Sequence, residues 1–421
     1  MERCIDIETK GNYDVIVAGS GPAGVAAAVT AGRNGMKTLL IESCGRVGGI
    51  STSGMMSHFT GSVGNKIYWE ILRRAAEKNF FNSGNITTAI DPEMLTITYI
   101  EMLEEAGTDI LLYTSVFDVL MKEKRVTGVV CLNKSGFAAY NSKVLIDATG
   151  DGDAAYKSGA EFVTGRESDG RMQPATLMFK VAGVDMNRAV FPRSFETLVP
   201  TGRGELQALA KEILPYPAGH VLLYQSTIPG IVTCNMTNAI DIDGTKAEDM
   251  TRAELICRKQ IPAIISFLRE YAPGYENCYA ISSASLIGIR ETRHFIGVKT
   301  LTEKDVAEAV QYDDYAVYDA HFNFDVHNMT GSGLDETGCQ EKFTQTKGYT
   351  IPYGCLVPKK IDGLLLAGRN ISGTHMAHSS YRAMPICSGM GEAAGAAASI
   401  AVKKNIEPRQ VDPAEIQSLI K

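Results

Sequence analysis

The sequence has no CxxC pair, and its nine cysteines are scattered along 421 residues. Zinc sites and iron–sulfur clusters need closely spaced cysteines, and disulfide frameworks are typical of short secreted chains. A CxxxxC pair near Cys44 is also missing, which disfavours a disulfide reductase. We therefore predict no metal site and mostly buried, reduced thiols.

Positive charge is also scarce. The 41 lysines and arginines stand against 48 acidic residues, which gives a net charge of -7, and they form no basic run interleaved with aromatics. Because nucleic acids are bound through such basic stripes, no nucleic-acid partner is expected. Residues 1–8 lack the apolar core of a secretory signal, which predicts a cytoplasmic protein.

Long runs of bulky apolar residues are absent as well. Residues 383–402 come nearest because they are almost free of charge, but they include Pro385, Gly389, Gly391 and Glu392. This composition predicts a helix with a small-residue face, packed inside the protein, and no membrane span. No internal repeat supports a solenoid, and the length suits two or three domains with ample apolar residues for their cores.

The sequence does contain a strand, a glycine turn and a helix near its start. Residues 13–18 form an apolar run, residues 19–24 read Gly-Ser-Gly-Pro-Ala-Gly, and a second apolar run at residues 36–41 ends before Glu42. The glycines allow a tight turn close to a pyrophosphate, and Glu42 can accept ribose hydroxyls. An accidental glycine turn is the weaker alternative. The predicted contacts to an ADP-containing cofactor are Gly19, Gly21, Pro22, Ala23, Gly24 and Glu42.

Three further segments favour FAD over a nicotinamide cofactor. The doublet Gly48-Gly49 lets the chain follow a long dinucleotide, an acid-rich glycine turn follows Asp147, and Gly368-Arg369 precede a helix that begins near Pro385. The positive end of that helix would stabilise a reduced flavin. Calcium is an alternative ligand for the acid-rich turn, but the EF-hand pattern is missing. We expect FAD contacts from Gly48, Gly49, Ser51, Thr52, Val116, Ala148, Thr149, Gly150, Gly368, Arg369, Ile386 and Cys387.

These segments resemble the glutathione-reductase-type FAD superfamily, specifically the broad bacterial FAD-dependent oxidoreductase family. The similarity spans nearly the whole chain and includes residues 288–293, 351–353 and 367–375. It implies FAD, with NAD(P)H as a candidate electron donor, but no particular substrate, because the fold hosts many reactions. His58 invites a covalent flavin, yet the surrounding residues do not match proteins that attach one, so noncovalent FAD is predicted.

The order of predicted helices and strands indicates an α/β fold. It combines a Rossmann-like FAD-binding domain, with a parallel sheet and a β-meander, and an inserted α+β substrate domain. We expect the FAD-binding domain to comprise residues 1–163 and 341–421, and the substrate domain residues 164–340. Helices are predicted over residues 63–79, 91–106 and 247–271, and strands over residues 109–113, 116–121, 126–132, 144–148 and 363–368.

Hydride transfer at a flavin usually needs a group that gives or takes a proton. His375 and His378 lie in a predicted loop beside the ring, although a structural role is the commoner one for each histidine. Arg290 is a candidate clamp for a substrate carboxylate, but bracing the two domains, together with Arg293, is the stronger interpretation. The predicted catalytic residues are His375, His378, Tyr381, Arg382 and Arg290.

We therefore expect an FAD-dependent oxidoreductase that transfers hydride between flavin N5 and a small organic substrate, by alcohol or amine oxidation or by reduction of an activated alkene. The segment from Gly373 to Arg382 resembles the flavin-proximal loop of fumarate-reductase-like enzymes, although Arg369 replaces their usual acid. A flavin-containing RNA-modification or assembly factor and a simple NAD-dependent dehydrogenase are the alternatives. The sequence leaves the oligomeric state open, and a homo-oligomer is compatible with it.

Overall fold

The first residues fold into the predicted strand, turn and helix. The computed structural model describes residues 6–56, 58–79, 89–338 and 343–421. Strand β1 (Thr9–Ala18) runs into helix α1 (Pro22–Arg33), and β2 (Thr38–Ile41) returns parallel to β1. Pro22 at the first helical position has no NH to leave unpaired, so it begins the helix without cost.

Two helices follow the loop that contains Gly48-Gly49, as predicted. Helix α2 spans Lys66–Glu77 and helix α3 spans Pro92–Glu105. The carboxylate of Asp91 accepts hydrogen bonds from the backbone NH groups of Glu93 and Met94 and so caps α3.

Four further strands of the large sheet follow. They are β3 (Asp109–Leu111), β4 (Thr114–Lys122), β5 (Arg125–Asn133) and β6 (Gly136–Asp147). Strands β4, β5 and β6 form the predicted antiparallel meander, and β3 lies parallel to β2. Strand β6 begins earlier than residue 144, because residues 136–141 pair with β5 and residues 139–147 lie parallel to β1.

The middle of the chain builds smaller sheets. In order come α4 (Asp153–Lys157), β7 (Phe162–Thr164), β8 (Phe179–Ala182), β9 (Pro200–Thr201), β10 (Gly204–Glu205), α5 (Leu206–Ile213), β11 (Leu223–Gln225), β12 (Val232–Cys234), α6 (Ala247–Tyr271), β13 (Tyr279–Ser283), β14 (Arg293–Phe295), α7 (Glu303–Ala307) and β15 (Tyr315–Ala320). Strands β11, β12, β8 and β13 form an antiparallel sheet.

This antiparallel sheet has its own hydrophobic core. Phe179 and Val181 of β8 pack there with Ile264 and Phe267 of α6. Phe295, Leu301, Val306 and Val317 pack instead in the core of the large sheet. The mixed α/β fold with an extra domain is confirmed, while the boundaries at residues 163 and 340 stay predictions; residue 340 lies outside the described residues.

The chain then returns to the large sheet. Strand β16 (Tyr349–Pro352) pairs with β15, and β17 (Leu364–Leu366) lies parallel to β6. Helices α8 (His375–Tyr381), α9 (Met384–Lys404) and α10 (Pro413–Ile420) follow. The predicted loop around His375 and His378 is thus a short helix, because the Thr374 hydroxyl accepts a hydrogen bond from the Ala377 NH and caps it.

Helix α9 is the nearly uncharged segment of the sequence, and it packs tightly on α1. A Cβ at Gly391 would lie 2.0 Å from the Ala23 carbonyl oxygen, and one at Gly395 would lie 2.4 Å from that of Ala27. Only glycine lets the two backbones approach this closely. Among the described residues, no helix has the length and apolarity to cross a membrane.

Candidate functional site

A cavity of about 530 Å³ lies at the carboxyl ends of the parallel strands. In open α/β sheets, ligands bind at this edge. The turn after β1, the end of β2, the turn after β6 and the residues after β17 all contribute to its wall. Of the predicted FAD contacts, the lining includes Gly19, Gly21, Pro22, Ala23, Glu42, Gly49, Val116, Ala148, Thr149, Gly150, Gly368, Arg369 and Cys387.

The glycines of the first turn serve different purposes. A Cβ at Gly24 would lie 1.9 Å from the Gly19 carbonyl oxygen, so Gly24 allows helix and strand to pack and does not line the cavity. Gly19 has φ +91° and faces the Ala148 backbone. At Gly21, by contrast, a Cβ would meet no protein atom within 4 Å. The space beside Gly21 and the N-terminus of α1 therefore fits a pyrophosphate.

Glu42 is buried at the end of β2 and lines the cavity. Its Oε2 accepts hydrogen bonds from the NH and hydroxyl of Ser20, at 2.9 and 2.6 Å, and its Oε1 accepts one from the Cys44 NH at 2.9 Å. These bonds fix the carboxylate beside the glycine turn. Oε1 also accepts from the Ser43 hydroxyl at 3.0 Å, so the protein uses all of the roughly four acceptor positions of the carboxylate. A ribose hydroxyl would therefore take the place of a serine hydroxyl as donor.

The Gly48-Gly49 loop only partly matches its predicted role. Gly49 lines the cavity, and both glycines have positive φ. The Ser51 hydroxyl donates to the Gly48 carbonyl and the Thr52 hydroxyl to the Val47 carbonyl, each at 2.6 Å. The structure does not bring Gly48, Ser51 or Thr52 to the cavity wall, because the two hydroxyls stabilise the loop from inside.

The acid-rich turn after β6 is held by protein groups. Burial raises the pKa of Asp147 to about 6, and its carboxylate orders the turn by accepting from the Thr149 hydroxyl and from backbone NH groups. Asp151 accepts from the Arg369 guanidinium at 2.9 Å and from the Thr292 hydroxyl at 2.7 Å. The acids thus serve as structural acceptors.

Arg369 and Arg293 both approach this turn. Arg369 lines the cavity, and its buried Nη1 has no hydrogen-bond partner, which fits a cofactor oxygen as the missing acceptor. Arg293 donates to the Asp151 carbonyl at 2.9 Å and to the Asp153 carboxylate at 3.0 Å. Arg293 therefore braces the turn together with Arg369 and Thr292.

The N-terminal end of α9 reaches the cavity through Ala383, Met384 and Cys387. The backbone NH of Cys387 donates to the Ala383 carbonyl inside the helix, so it is not free for a flavin oxygen. Ile386 does not line the cavity. Burial raises the pKa of the Cys387 thiol to about 12, so it stays protonated.

The second half of the cavity lies against the antiparallel sheet. Its apolar wall includes Met178, Phe195, Leu222 and Tyr224, and its charged groups include three arginines. Burial among these groups lowers the pKa of Arg290 to about 10, so this arginine is still charged at neutral pH. Its Nη1 donates to the Pro174 carbonyl at 2.6 Å and to the Thr176 hydroxyl at 2.8 Å, and not to Glu291.

Arg382 lies across this half of the cavity. Its Nη2 donates to the carbonyl and the carboxylate of Asp325, at 2.7 and 2.8 Å, while its Nε is buried without a partner. His327 lies beside the same carboxylate, and burial next to Arg290 lowers its pKa to about 4. The imidazole is therefore neutral. Sequence reasoning missed Asp325 and His327, because the irregular segment that carries them has no recognisable motif.

Three predicted catalytic residues lie elsewhere. His375, His378 and Tyr381 are buried on α8 and do not line the cavity. The Nδ1 of His375 is 2.7 Å from the Glu291 carboxylate, and the Tyr381 hydroxyl donates to the Ile371 carbonyl at 3.3 Å. The structure brings only Arg290 and Arg382 of the five to the cavity, because the cap at Thr374 turns this segment into a helix buried on nearly every side.

His58 also lies outside the cavity lining. Its ring stacks on Tyr224 with the centroids 5.2 Å apart. Burial lowers its pKa, so the imidazole is uncharged at neutral pH. The stacking on Tyr224 and the position outside the cavity lining indicate that His58 is a packing residue.

Parts of this chain are similar in sequence to known proteins. The digeranylgeranylglycerophospholipid reductase 1 of Methanococcoides burtonii is 25% identical over 205 residues, which are 43% of this chain and 47% of that protein. A thiamine thiazole synthase of Methanococcus vannielii is 32% identical over 152 residues, 32% of this chain and 56% of that protein. The matched part thus spans about half the length of these curated relatives.

Solved structures share the fold over almost the whole chain. A geranylgeranyl bacteriochlorophyll reductase-like protein from Thermoplasma acidophilum has a TM-score of 0.51 at 14% identity, covering 98% of this chain and 83% of that one. The p-nitrophenol 4-monooxygenase of Pseudomonas putida has a TM-score of 0.51 at 12% identity, covering 98% and 86%. The family model described as FAD dependent oxidoreductase matches residues 14–420, so the chain belongs to the FAD-dependent oxidoreductase family and is a flavin enzyme.

Proposed function

We propose that this enzyme transfers hydride between noncovalently bound FAD and a small organic substrate that carries a carboxylate. The observation that supports a carboxylate is the charge of the second half of the cavity. Arg193, Arg290 and Arg382 line it against one acid, Asp325, and His327 beside them is neutral. Arg193 is exposed, whereas Arg290, Arg382 and Asp325 are half-buried, and this partly enclosed surplus of positive charge favours an anionic partner.

The residues that would hold FAD come from separate segments. Gly21 and the N-terminus of α1 would receive the pyrophosphate, Glu42 the ribose hydroxyls, and Arg369 a cofactor oxygen at its unpaired Nη1. When bound, FAD supplies the hydride acceptor or donor. The narrower membership in the glutathione-reductase-type superfamily stays a prediction.

The protein's own groups would orient the substrate. Arg290 is held by the Pro174 carbonyl and the Thr176 hydroxyl, and Arg382 by Asp325, so both guanidiniums have fixed positions. A guanidinium fixed in this way can bind a carboxylate through two parallel hydrogen bonds. Met178, Phe195 and Leu222 would exclude water around the rest of the substrate.

The test is an anaerobic screen of the FAD-loaded protein. Each carboxylate is paired with its neutral amide, and the flavin absorbance is followed as amines and alcohols reduce it or as conjugated alkenes reoxidise it. We expect carboxylates to react at least about tenfold faster than their amides, the difference expected from one charged hydrogen bond. NADH and NADPH are added in separate runs to test them as electron donors.

The remaining results point away from the proposal. A protein that shows no flavin bands, even after FAD is added, would favour the NAD-dependent alternative. Flavin bands with no response to any small molecule would favour the RNA-modification or assembly factor. Equal rates for carboxylates and amides would reject the carboxylate while leaving the oxidoreductase assignment intact.

A further inference from the structure

Four ionisable side chains meet behind the cavity wall and have no part in the proposed reaction. Glu291, His294, His375 and His378 are each no more than 3% exposed, and none of them lines the cavity. The Nε2 of His294 lies 2.9 Å from Oε1 of Glu291, and the Nδ1 of His375 lies 2.7 Å from the same oxygen. Three imidazoles therefore surround one carboxylate in the interior.

Three of these residues present their ligand atoms toward a common point. One ligand atom each from Glu291, His294 and His378 lies within 4.8 Å of the other two. The rings of His294 and His378 meet edge to face, with centroids 4.7 Å apart. Imidazole nitrogen with carboxylate oxygen is a donor set that zinc and neighbouring divalent metals accept.

Hydrogen bonds within the protein pair both oxygens of Glu291 but leave one nitrogen of His378 without a partner. Oε1 of Glu291 is shared by His294 and His375, and Oε2 accepts from the Gln173 backbone NH at 3.2 Å. The Nδ1 of His378 is buried and has no hydrogen-bond partner. Buried polar atoms in folded proteins are paired with few exceptions, so an unpaired nitrogen beside two further donors points to a missing partner.

The surrounding groups match the outer partners of a metal centre. Ligating histidines place their second nitrogen near an oxygen, and the Tyr381 hydroxyl lies 3.5 Å from Nδ1 of His294. His375 holds the Glu291 carboxylate from one side and Gln173 holds it from the other. The carboxylate is thus oriented by two donors besides the candidate ligands.

We propose that Glu291, His294 and His378 bind a divalent first-row transition metal, with Zn²⁺ as the fitting ion and His375 as the residue that positions the carboxylate. Zinc–ligand bonds of about 2.0–2.1 Å require the ligand atoms to lie roughly 3–4 Å apart. Binding therefore narrows the widest of these gaps, which reach 4.8 Å, and replaces the 2.9 Å hydrogen bond between His294 and Glu291 with bonds to the ion, releasing the shared proton. The proposal revises the sequence-based prediction of no metal site and does not depend on the proposed substrate.

The role of the ion would be structural. Glu291 lies just before β14 and His294 lies within it, after the antiparallel sheet, whereas His378 lies on α8, which precedes α9 at the cavity. An ion bound by both segments would link residues 291–294, where the chain leaves the antiparallel sheet, to α8. Since a preformed site rarely exists in an unfolded chain, binding free energy of this kind adds to folding stability.

The test uses the FAD-loaded protein, purified without a histidine tag. Elemental analysis by mass spectrometry gives the bound metal per chain, and the chelator-treated protein is then titrated with Zn²⁺ while the melting temperature is followed. Titration with Co²⁺ is followed by its visible absorption, which reports imidazole and carboxylate ligands. We expect about one equivalent of metal and a melting temperature that rises with Zn²⁺.

Variants separate ligands from neighbours. His378→Gln should lose the Co²⁺ absorption and the response to Zn²⁺ while it keeps FAD. His375→Gln should weaken Zn²⁺ binding about 10- to 100-fold, the cost of losing a group that positions a ligand. The control His321→Gln changes a histidine that pairs with Asp319 outside the cluster, and it should bind metal as the unaltered protein does.

Two results would overturn the site. One is an unaltered, FAD-containing protein with less than about 0.1 equivalent of metal and no response to added Zn²⁺ or Co²⁺. The other is His378→Gln binding Co²⁺ with unchanged affinity and spectrum. If His378→Gln does not fold, the Co²⁺ titration of the unaltered protein still decides the question, and the flavin spectrum reports on the proposed reaction separately.

Discussion

Gly21 and Gly24 belong to one motif, but the structure predicts different consequences for changing them. At Gly24 a Cβ would lie 1.9 Å from the Gly19 carbonyl oxygen, whereas at Gly21 it would meet nothing within 4 Å, and Gly21 has an ordinary φ of -61°. Gly24→Ala should therefore destabilise the protein by roughly 1–3 kcal/mol. Gly21→Ala should fold normally and weaken FAD binding about tenfold or more, because the methyl group occupies pyrophosphate space. Thermal unfolding of the apoprotein and FAD titration measure the two effects.

Gly202 provides the matched control for this pair. A Cβ there would also meet nothing within 4 Å, and it lies outside the cavity lining. Gly202→Ala should change neither the melting temperature nor FAD affinity. If Gly21→Ala binds FAD as tightly as the unaltered protein, the pyrophosphate does not pass beside Gly21.

Arg290 is the residue whose change best tests the carboxylate. In Arg290→Gln, the most reactive carboxylate of the anaerobic screen should bind about 10- to 100-fold more weakly, because a hydrogen bond to a charged group contributes roughly 1.5–3 kcal/mol. The concentration dependence of flavin reduction or reoxidation gives this affinity. Arg188→Gln, which changes an exposed arginine paired with Glu276, is the control. Equal affinity in the two variants would contradict a clamp at Arg290.

Local sequence predicted the position of some side chains and not of others. Arg290 and Arg382 do line the cavity, whereas His375, His378 and Tyr381 lie behind it. The residues of α8 other than Met376 are buried, so no alternation of polar and apolar residues shows which side faces a ligand. Glu291 and His375 are 84 positions apart, and only the fold brings them together.

Helix α9 carries a buried acid whose ionisation opposes folding. Burial raises the pKa of Glu392 from 4.5 to about 7, and its Oε2 has no hydrogen-bond partner. The folded chain therefore keeps this carboxyl protonated at pH values where the unfolded chain ionises it. Its contribution to stability is fully present below pH 4.5 and is lost as the pH rises to about 7.

Glu392→Gln should remove this loss. Compared with the unaltered protein, the variant should gain stability across this pH range and reach an advantage of roughly 3 kcal/mol above it, since one pKa unit corresponds to about 1.4 kcal/mol. Denaturant unfolding at several pH values measures the gain. The exposed Glu104 serves as a control, because Glu104→Gln should give a nearly constant difference. An advantage of Glu392→Gln that does not grow with pH would contradict the assignment.

Helices and strands are easier to predict when the periodic pattern of apolar residues extends over many positions. The 25-residue α6 begins and ends at the predicted residues 247 and 271, because its apolar positions recur at helical spacing. For the seven-residue α8 the sequence predicts a loop, since two turns give too little periodicity. Strand β6 was predicted only in its second half, where it lies among parallel strands and is almost wholly apolar.

The complete cavity exists only in the folded chain. Its wall combines the turn after β1, the turn after β6, the residues after β17 and side chains of the inserted region, which are far apart in sequence. The four glycine-rich segments lie on one side of this cavity and are predictable from sequence, because phosphate-binding turns have local signatures. The side that lies against the antiparallel sheet has no such signature, and its charges come from long-range packing.

FAD should therefore stabilise the folded chain and leave it on unfolding. A free FAD concentration about 1,000 times the dissociation constant should add roughly 4 kcal/mol to the free energy of unfolding, because the unfolded chain has no cavity to bind it. ADP should give part of this stabilisation through Gly21 and Glu42, and riboflavin should give less than FAD. The melting temperature of the apoprotein with each ligand measures the order.

Acid or heat precipitation completes the experiment. His58, the residue that invites a covalent bond, lies outside the cavity lining and stacks on Tyr224, so the flavin should appear in the supernatant. Flavin that stays with the precipitated chain would show a covalent bond and reject this expectation. If riboflavin stabilised the apoprotein as much as FAD, the glycine turn and Glu42 would contribute nothing to affinity, and the assignment of the pyrophosphate to that turn would fail.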